Sequence, residues 1–182
     1  MDIDIFFDYT CRHSFALHRL IEVDPPKVAI RWRTFSLKEL RRSEAEPSLL
    51  LEPEKSFSVL ALALAHAVED VNFLDFHRLV FERVHASAHK LGSDDLFDLA
   101  DAAGVTRKRF EDDRELLIQR LAEDQDEAMQ RWNAHGTPTI VFDRATSVYF
   151  RFELEERGGS ATWHLLEQIA RSPWLLEAKR SR

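Results

Sequence analysis

The stretch Ile3-Asp4-Ile5-Phe6-Phe7-Asp8-Tyr9-Thr10-Cys11-Arg12-His13-Ser14 decides how the rest of the chain is read. Ile3 to Phe7 is a largely buried strand by composition, and Asp8-Tyr9-Thr10 makes the turn out of it. A helical period begins at Arg12 and runs to about Glu22, with Ala16, Leu17, Leu20 and Ile21 on one apolar face, until Asp24-Pro25-Pro26 stops it. Cys11 therefore stands at a helix N-terminus, where unpaired amide N–H groups and the positive end of the macrodipole favour an anion. Arg12 and a protonated His13 push the same way, so a thiol in this seat ionises more readily than a free one. Residue type alone points elsewhere, because an unreactive cysteine is usually a small buried hydrophobe.

Outward from that stretch, Val28, Ile30 and Trp32 alternate with Ala29, Arg31 and Arg33, the period of a strand with one face in the core. Strand, helix and strand in this order favour a right-handed crossover and a parallel pair. Leu37 to Pro53 is rich in charge, broken by Pro47 and Pro53, and predicts a connection. From about Ser56 to Trp132 four or five helices are predicted: Ala and Leu dominate Val59 to Ala67, and Phe73, Phe76, Val80 and Val84 share a face of the next. Gly92 suits a C′ position and Ser93 an N-cap for a short helix through Ala103, and Gly104 with Thr106 repeats that punctuation. Leu117, Leu121, Ala128 and Trp132 stripe a longer helix. After His135-Gly136, Thr139-Ile140-Val141-Phe142, a turn at Asp143-Arg144-Ala145, and Ser147-Val148-Tyr149-Phe150 predict a β-hairpin. Gly158-Gly159-Ser160 opens a last helix using Trp163, Leu166, Ile169 and Ala170, with Pro173 just past its end.

The 182 residues, 45% hydrophobic and 31% charged, suit one globular domain or one domain with an insertion. A formal charge of −7 without an aromatic-studded basic stripe argues against nucleic acid as a partner. The acidic opening Met1-Asp2-Ile3-Asp4 lacks the basic flank and apolar core of a signal peptide, and no segment is apolar enough to span a bilayer, so the expectation is a cytoplasmic protein without a membrane partner. Cys11 is the single cysteine, so redox chemistry there must be completed by a thiol of another molecule.

The order strand-helix-strand, helical block, strand-strand-helix resembles the thioredoxin fold with an all-helical insertion, as in the DsbA-like oxidoreductases and their FrnE-like cytosolic relatives. The fold class expected is α/β, with residues 1–45 and 134–182 forming the thioredoxin-like domain and 46–133 the insertion. Cys11-Arg12-His13-Ser14 sits where that family keeps Cys-x-x-Cys or Cys-x-x-Ser, and Gly136-Thr137-Pro138-Thr139 is similar to its cis-proline segment. Phe76-His77-Arg78-Leu79-Val80-Phe81 and Leu96 to Gly104 also resemble the family's insertion helices. The resemblance implies that Pro138 is cis and faces Cys11. The Thr137 backbone would then pair with an extended substrate and aim its sulfur at Cys11.

Ser14 departs from the dithiol pattern. A hydroxyl cannot resolve a mixed disulfide, although it can donate a hydrogen bond to a thiolate. The expectation is a thiol–disulfide oxidoreductase working by a monothiol route, with Cys11, Ser14 and His13 as catalytic candidates and Arg12, Thr137 and Pro138 binding substrate. No cofactor is expected to be held tightly; a low-molecular-weight thiol such as glutathione or mycothiol would close the cycle. The partner would be a protein or small-molecule disulfide or thiol, and a homodimer is left open. Two alternatives stand beside this one. A kappa-class glutathione transferase or 2-hydroxychromene-2-carboxylate isomerase shares the fold and activates glutathione with a serine, which would make Ser14 the acting residue. A binding protein whose site has decayed is the other.

The remaining constellations have plainer readings. His85 and His89, four apart with His77 upstream, have a metal-compatible spacing but no evident further ligand, so solvated or capping histidines and no metal are expected. Glu111-Asp112-Asp113 and Glu123-Asp124-Gln125-Asp126-Glu127 read as exposed helix faces. Trp32, Trp132 and Trp163 read as core, and Arg31 and Arg33 as contacts to the insertion or to an anionic thiol.

Overall fold

The computed structural model describes residues 2–86, 91–151 and 160–172. Strand β1 (Ile3–Phe7) is buried at every position, as its near-continuous apolar run requires. Helix α1 (Arg12–Val23) follows, and β2 (Ile30–Thr34) pairs parallel to β1 with Ile3 opposite Ile30 and Phe7 opposite Thr34. The far end of the chain supplies β3 (Thr139–Phe142) and β4 (Thr146–Tyr149). β3 runs antiparallel to β1, so the sheet order is β2-β1-β3-β4. The β3–β4 turn uses positive φ at Asp143 and Arg144, and the Ala145 amide donates back to Phe142, the geometry favoured in short hairpins. Helix α8 (Ser160–Ala170) lays Trp163, Leu166 and Ala170 with Leu17 against Ile3, Ile5, Ile140 and Phe142.

Between the halves lie α2 (Leu37–Leu40), α3 (Phe57–Ala67), α4 (Asp70–Ala86), α5 (Ser93–Ala102), α6 (Arg107–Asp112) and α7 (Arg114–Asp126), ending in a π-helical turn at Glu127–Arg131. The order is α/β, β-α-β then β-β-α, with helices inserted. α3 is buried on nearly all sides, because Ala and Leu fill seven of its eleven positions and leave no polar stripe to expose. A large cluster joins Phe7, Tyr9 and Phe15 of the first βα unit to Phe76, Val80 and Phe81 of α4 and to Val59–Leu64 of α3. Sheet and insertion thus meet in this cluster, built around the residues on either side of the turn into α1, while Phe6, Phe35 and Val141 gather with Ala128 and Trp132 in a smaller one.

Three local expectations change. Leu37 to Pro53 is more ordered than a connection: Ser36 caps α2 by accepting from the Glu39 amide, and short 3-10 turns follow at Leu49–Leu51 and Pro53–Lys55. Gly92 is the N-cap of α5, with φ −103°, and its amide donates to Asp95 at 2.7 Å, so Ser93 is the first helical residue instead of the cap. Gly104 does take the left-handed conformation (φ +88°) after α5, and Thr106 caps α6 through the Arg109 amide. The stripe Leu117, Leu121, Ala128 and Trp132 is buried. His89, Gly158-Gly159, Pro173 and the tail from Leu175 lie outside the described residues.

Candidate functional site

Cys11 is the N-cap of α1, with extended backbone (φ −87°, ψ 115°). Its carbonyl accepts the first helical bond from the Phe15 amide, and its own amide donates to the Asp8 carbonyl at 3.0 Å. The turn is held by Asp8, whose buried carboxylate accepts from the Thr10 amide (2.8 Å), the Thr10 hydroxyl (2.7 Å), the Leu37 amide (2.8 Å) and the Ser58 hydroxyl (3.1 Å). One carboxylate therefore fixes the cysteine turn, the start of α2 and the start of α3 together. A buried charge demands that many donors.

Tyr9 is gripped from the insertion. Its hydroxyl lies 3.1 Å from His77 Nδ1, and its carbonyl accepts from His85 Nε2 at 2.8 Å, while the His85 ring stacks on Phe15. Burial pushes the Tyr9 phenol well above its ordinary range and His77 well below its own. Both side chains are neutral at physiological pH. His77 is thus a core residue and His85 a wedge that donates to a turn carbonyl, where solvated or capping histidines were expected. Among the described residues no cluster of three or more metal-ligating side chains forms.

Across from α1 comes the loop before β3. The Thr137–Pro138 peptide bond is cis, and Cys11 Sγ donates to the Thr137 carbonyl at 3.2 Å. The loop is tied down by Thr139 Oγ1 donating to the Gly136 carbonyl (2.8 Å) and by the Phe150 amide donating to the Pro138 carbonyl (3.2 Å). Gly136 has no room for a side chain, since a Cβ there would come within 2.8 Å of the Tyr149 ring. Residues far apart in the chain therefore meet at one sulfur, and Cys11 as a residue is 8% exposed.

The other named candidates are distributed around it. Arg12 is exposed and His13 half-buried, and both line a groove of about 930 Å³ that also takes in Cys11, Lys38, Arg41 and Ser58. Ser14 and Thr137 are buried, and their hydroxyl oxygens have no hydrogen-bond partner. A second cavity of about 340 Å³, between Asp143 and Arg171, opens at the Ile3–Phe142 end of the sheet, away from the cysteine. Asp8, Ser58, Lys38 and Arg41 had not been singled out in the sequence. Asp8 carried a signal in its place directly after an apolar strand, but its donors come from residues 37 and 58 and have no local signature.

A family model for the DSBA-like thioredoxin domain matches residues 2–157. The chain belongs to the DSBA-like thioredoxin family. Solved structures share its fold at low identity. A probable DsbA oxidoreductase from Streptomyces coelicolor is 16% identical, covering 100% of this chain and 93% of its own, with a TM-score of 0.65. MdbA, a thiol-disulfide oxidoreductase from Corynebacterium diphtheriae, is 17% identical over 81% of this chain and 76% of its own, with a TM-score of 0.60. α-DsbA1 of Wolbachia pipientis is 15% identical over 94% and 86%, also at 0.60. No curated protein matches the chain. Within the DSBA-like frame the strand-to-helix thiol and the loop before β3 are the parts that meet, and among the described residues no helix is long and apolar enough to cross a membrane.

Proposed function

We propose that the chain is a thiol–disulfide oxidoreductase acting through Cys11 alone. The observation that carries this reading is the position of Sγ, at the open N-terminus of α1 and 3.2 Å from the Thr137 carbonyl. The thiol gives its proton to water, and the thiolate attacks one sulfur of a disulfide R–S–S–R′. The Cys11–S–S–R bond forms as the S–S bond of the substrate breaks, and R′S⁻ leaves and takes up a proton. An external thiolate R″S⁻ then attacks sulfur of the R group, releasing R–S–S–R″ and restoring the Cys11 thiolate. The sum is exchange between one disulfide and one thiol, without net oxidation of the protein. Glutathione or mycothiol would serve as R″SH. His13 and Arg12 follow Cys11 directly and line the groove beside it, Thr137 and Pro138 offer the backbone edge against which an extended substrate lies, and the Ser14 hydroxyl, buried and without a partner, would have to turn toward the sulfur to donate to a thiolate.

The test is intact-mass spectrometry of the reduced protein exposed to oxidised glutathione. A single adduct on Cys11, absent in Cys11→Ser, is expected. A folded protein whose Cys11 takes neither the adduct nor iodoacetamide at neutral pH would sink the reading and favour a decayed binding domain. The buried, unpartnered Ser14 hydroxyl also favours a second reading, in which Ser14 activates bound glutathione as in kappa-class transferases or the related isomerases. Conjugation of glutathione to an electrophile separates the two, because there Ser14→Ala would abolish activity and Cys11→Ser would leave it.

A further inference from the structure

Around the sulfur the charge runs against that of the whole chain, which is formally −7. The groove beside Cys11 is lined by Arg12, His13, Lys38, Arg41 and Arg42, against one carboxylate, Glu46. Arg42 is engaged in building the wall. Its Nε donates to Glu39 at 2.9 Å and its Nη1 to the Ser43 carbonyl at 2.7 Å and to the Glu46 carbonyl, while Glu39 accepts the Leu49 amide at 2.8 Å. The segment from 43 to 49 is thereby pinned as a fixed side of the groove. Lys38 and Arg41, one turn apart at α2, are exposed, and among the described residues neither side chain has an acidic partner. Two long cations thus stand over a preformed space next to the one thiol, and among the described residues no carboxylate is paired with either of them.

A space of about 930 Å³ is at the upper end of small-ligand sites, which run roughly 300–1,000 Å³. Neither Thr137 nor Pro138 lines it. The groove and the loop before β3 therefore offer separate surfaces on two sides of the same sulfur.

We propose that this groove selects the small partner of the exchange: a carboxylate-bearing low-molecular-weight disulfide or thiol, whose acid groups meet Lys38 and Arg41, with Arg12 behind them. This rests on the reading of Cys11 as the reacting sulfur. The Cys11 thiolate attacks the near sulfur of the bound acidic disulfide, Cys11 is oxidised to the mixed disulfide, and the far half leaves as a reduced thiolate that takes its proton from water. Electrostatic focusing in such a cleft raises the association rate of the acidic molecule over neutral or basic ones and fades with salt.

The test uses the full reduced chain and three disulfides: oxidised glutathione (acidic), hydroxyethyl disulfide (neutral) and cystamine (basic). The rate of adduct formation on Cys11 is followed by intact mass after acid quench, each rate divided by that of the same disulfide with a neutral small-molecule thiol. At low ionic strength the normalised rates rank acidic over neutral over basic, with about tenfold between the ends, and the ranking collapses in roughly 0.5 M salt. In Lys38→Glu/Arg41→Glu the acidic-to-neutral ratio inverts, whereas Lys27→Glu/Lys108→Glu, an equal change of net charge at distant exposed positions, retains the wild-type ratio. Equal normalised rates in the wild type, or the same ratio in both double variants, overturn the proposal while leaving Cys11 chemistry intact. Adducts with none of the three overturn the reading of Cys11 itself. Should the groove variant fail to fold, the wild-type charge and salt series decides alone.

Discussion

Two seams join the helical insertion to the sheet, and they use opposite chemistry. On one, Arg33 of β2 donates from Nε to Asp124 of α7 at 2.6 Å and from Nη2 to Glu127 at 2.7 Å. Asp124 also accepts from the Thr34 amide (2.8 Å) and hydroxyl (2.9 Å), with His66 3.4 Å away. Burial works to raise the Asp124 carboxyl, but hydrogen bonding and charge from His66, then the charge of Arg33 and the Thr34 amide, hold it below the usual carboxylate range. On the other seam, Tyr9, His18, Trp32, His77 and Phe81 pack ring against ring, edge to face for His18–His77 and His77–Phe81, tilted for Trp32–His77 and stacked for His18–Phe81, with no charge among them. His77 Nε2 has no hydrogen-bond partner there, and burial, then Arg19, lowers His18 to about 4. One seam stays together because its charges are paired; the other, because its titratable rings stay neutral.

The contrast can be broken from either side. Asp124→Ala should have the largest effect, about 3–5 kcal/mol lost in urea unfolding, because Arg33 and the Thr34 amide lose their partner in a buried place; a loss near zero would mean the seam is not a single charged unit. Acid should act on the other seam. The unfolded chain's histidine binds a proton below its ordinary 6.5 while folded His18 resists until about 4, so stability is intact above 6.5 and falls as pH drops through that window. Between pH 7 and 5 His18 alone should cost about 2 kcal/mol, with His77 adding in the same direction, and His18→Phe should shrink the loss by that amount. An unchanged slope in that variant would show that the rings are not what titrates. Tyr9→Phe strips His77 Nδ1 of its partner and should cost about 1–2 kcal/mol, seen as a lower melting temperature with the sheet otherwise intact. The smallest effect should come from salt: raising it to roughly 1 M should alter the Asp124→Ala penalty by under about 0.5 kcal/mol, since a buried pair is poorly screened.

The same contrast shows what a linear reading can reach. β1, α1, β2, the helical block, the hairpin and α8 were legible because each carries its own period and its own stop signals, and the resemblance brought Cys11 and Thr137-Pro138 to one place. Asp124 was not legible: within Glu123 to Glu127 it has the character of an exposed acidic face, and its partners Arg33, Thr34 and His66 lie far back in the chain. Arg31, by contrast, reaches Asp4 on the neighbouring strand instead of the insertion. His77 and His85 have a metal-compatible register with His89 and read as solvated or capping residues, yet they pack against Tyr9, a contact set by tertiary placement. Lys38 and Arg41 were hidden in a segment whose prolines and charges predict a plain connection, and their meaning depends on Arg42 and Glu39 folding it into a wall.

β1 sits between a neighbour made early and one made late, so during synthesis the flank that will receive β3 waits for residues near the far end of the chain. The cover that Thr137 gives the sulfur arrives equally late. Through that interval the thiol is open to the surrounding solution, yet this sequence holds no second thiol with which it could be miswired. A dithiol version of the same fold can close an internal disulfide as soon as both thiols are made; this one meets only partners from outside.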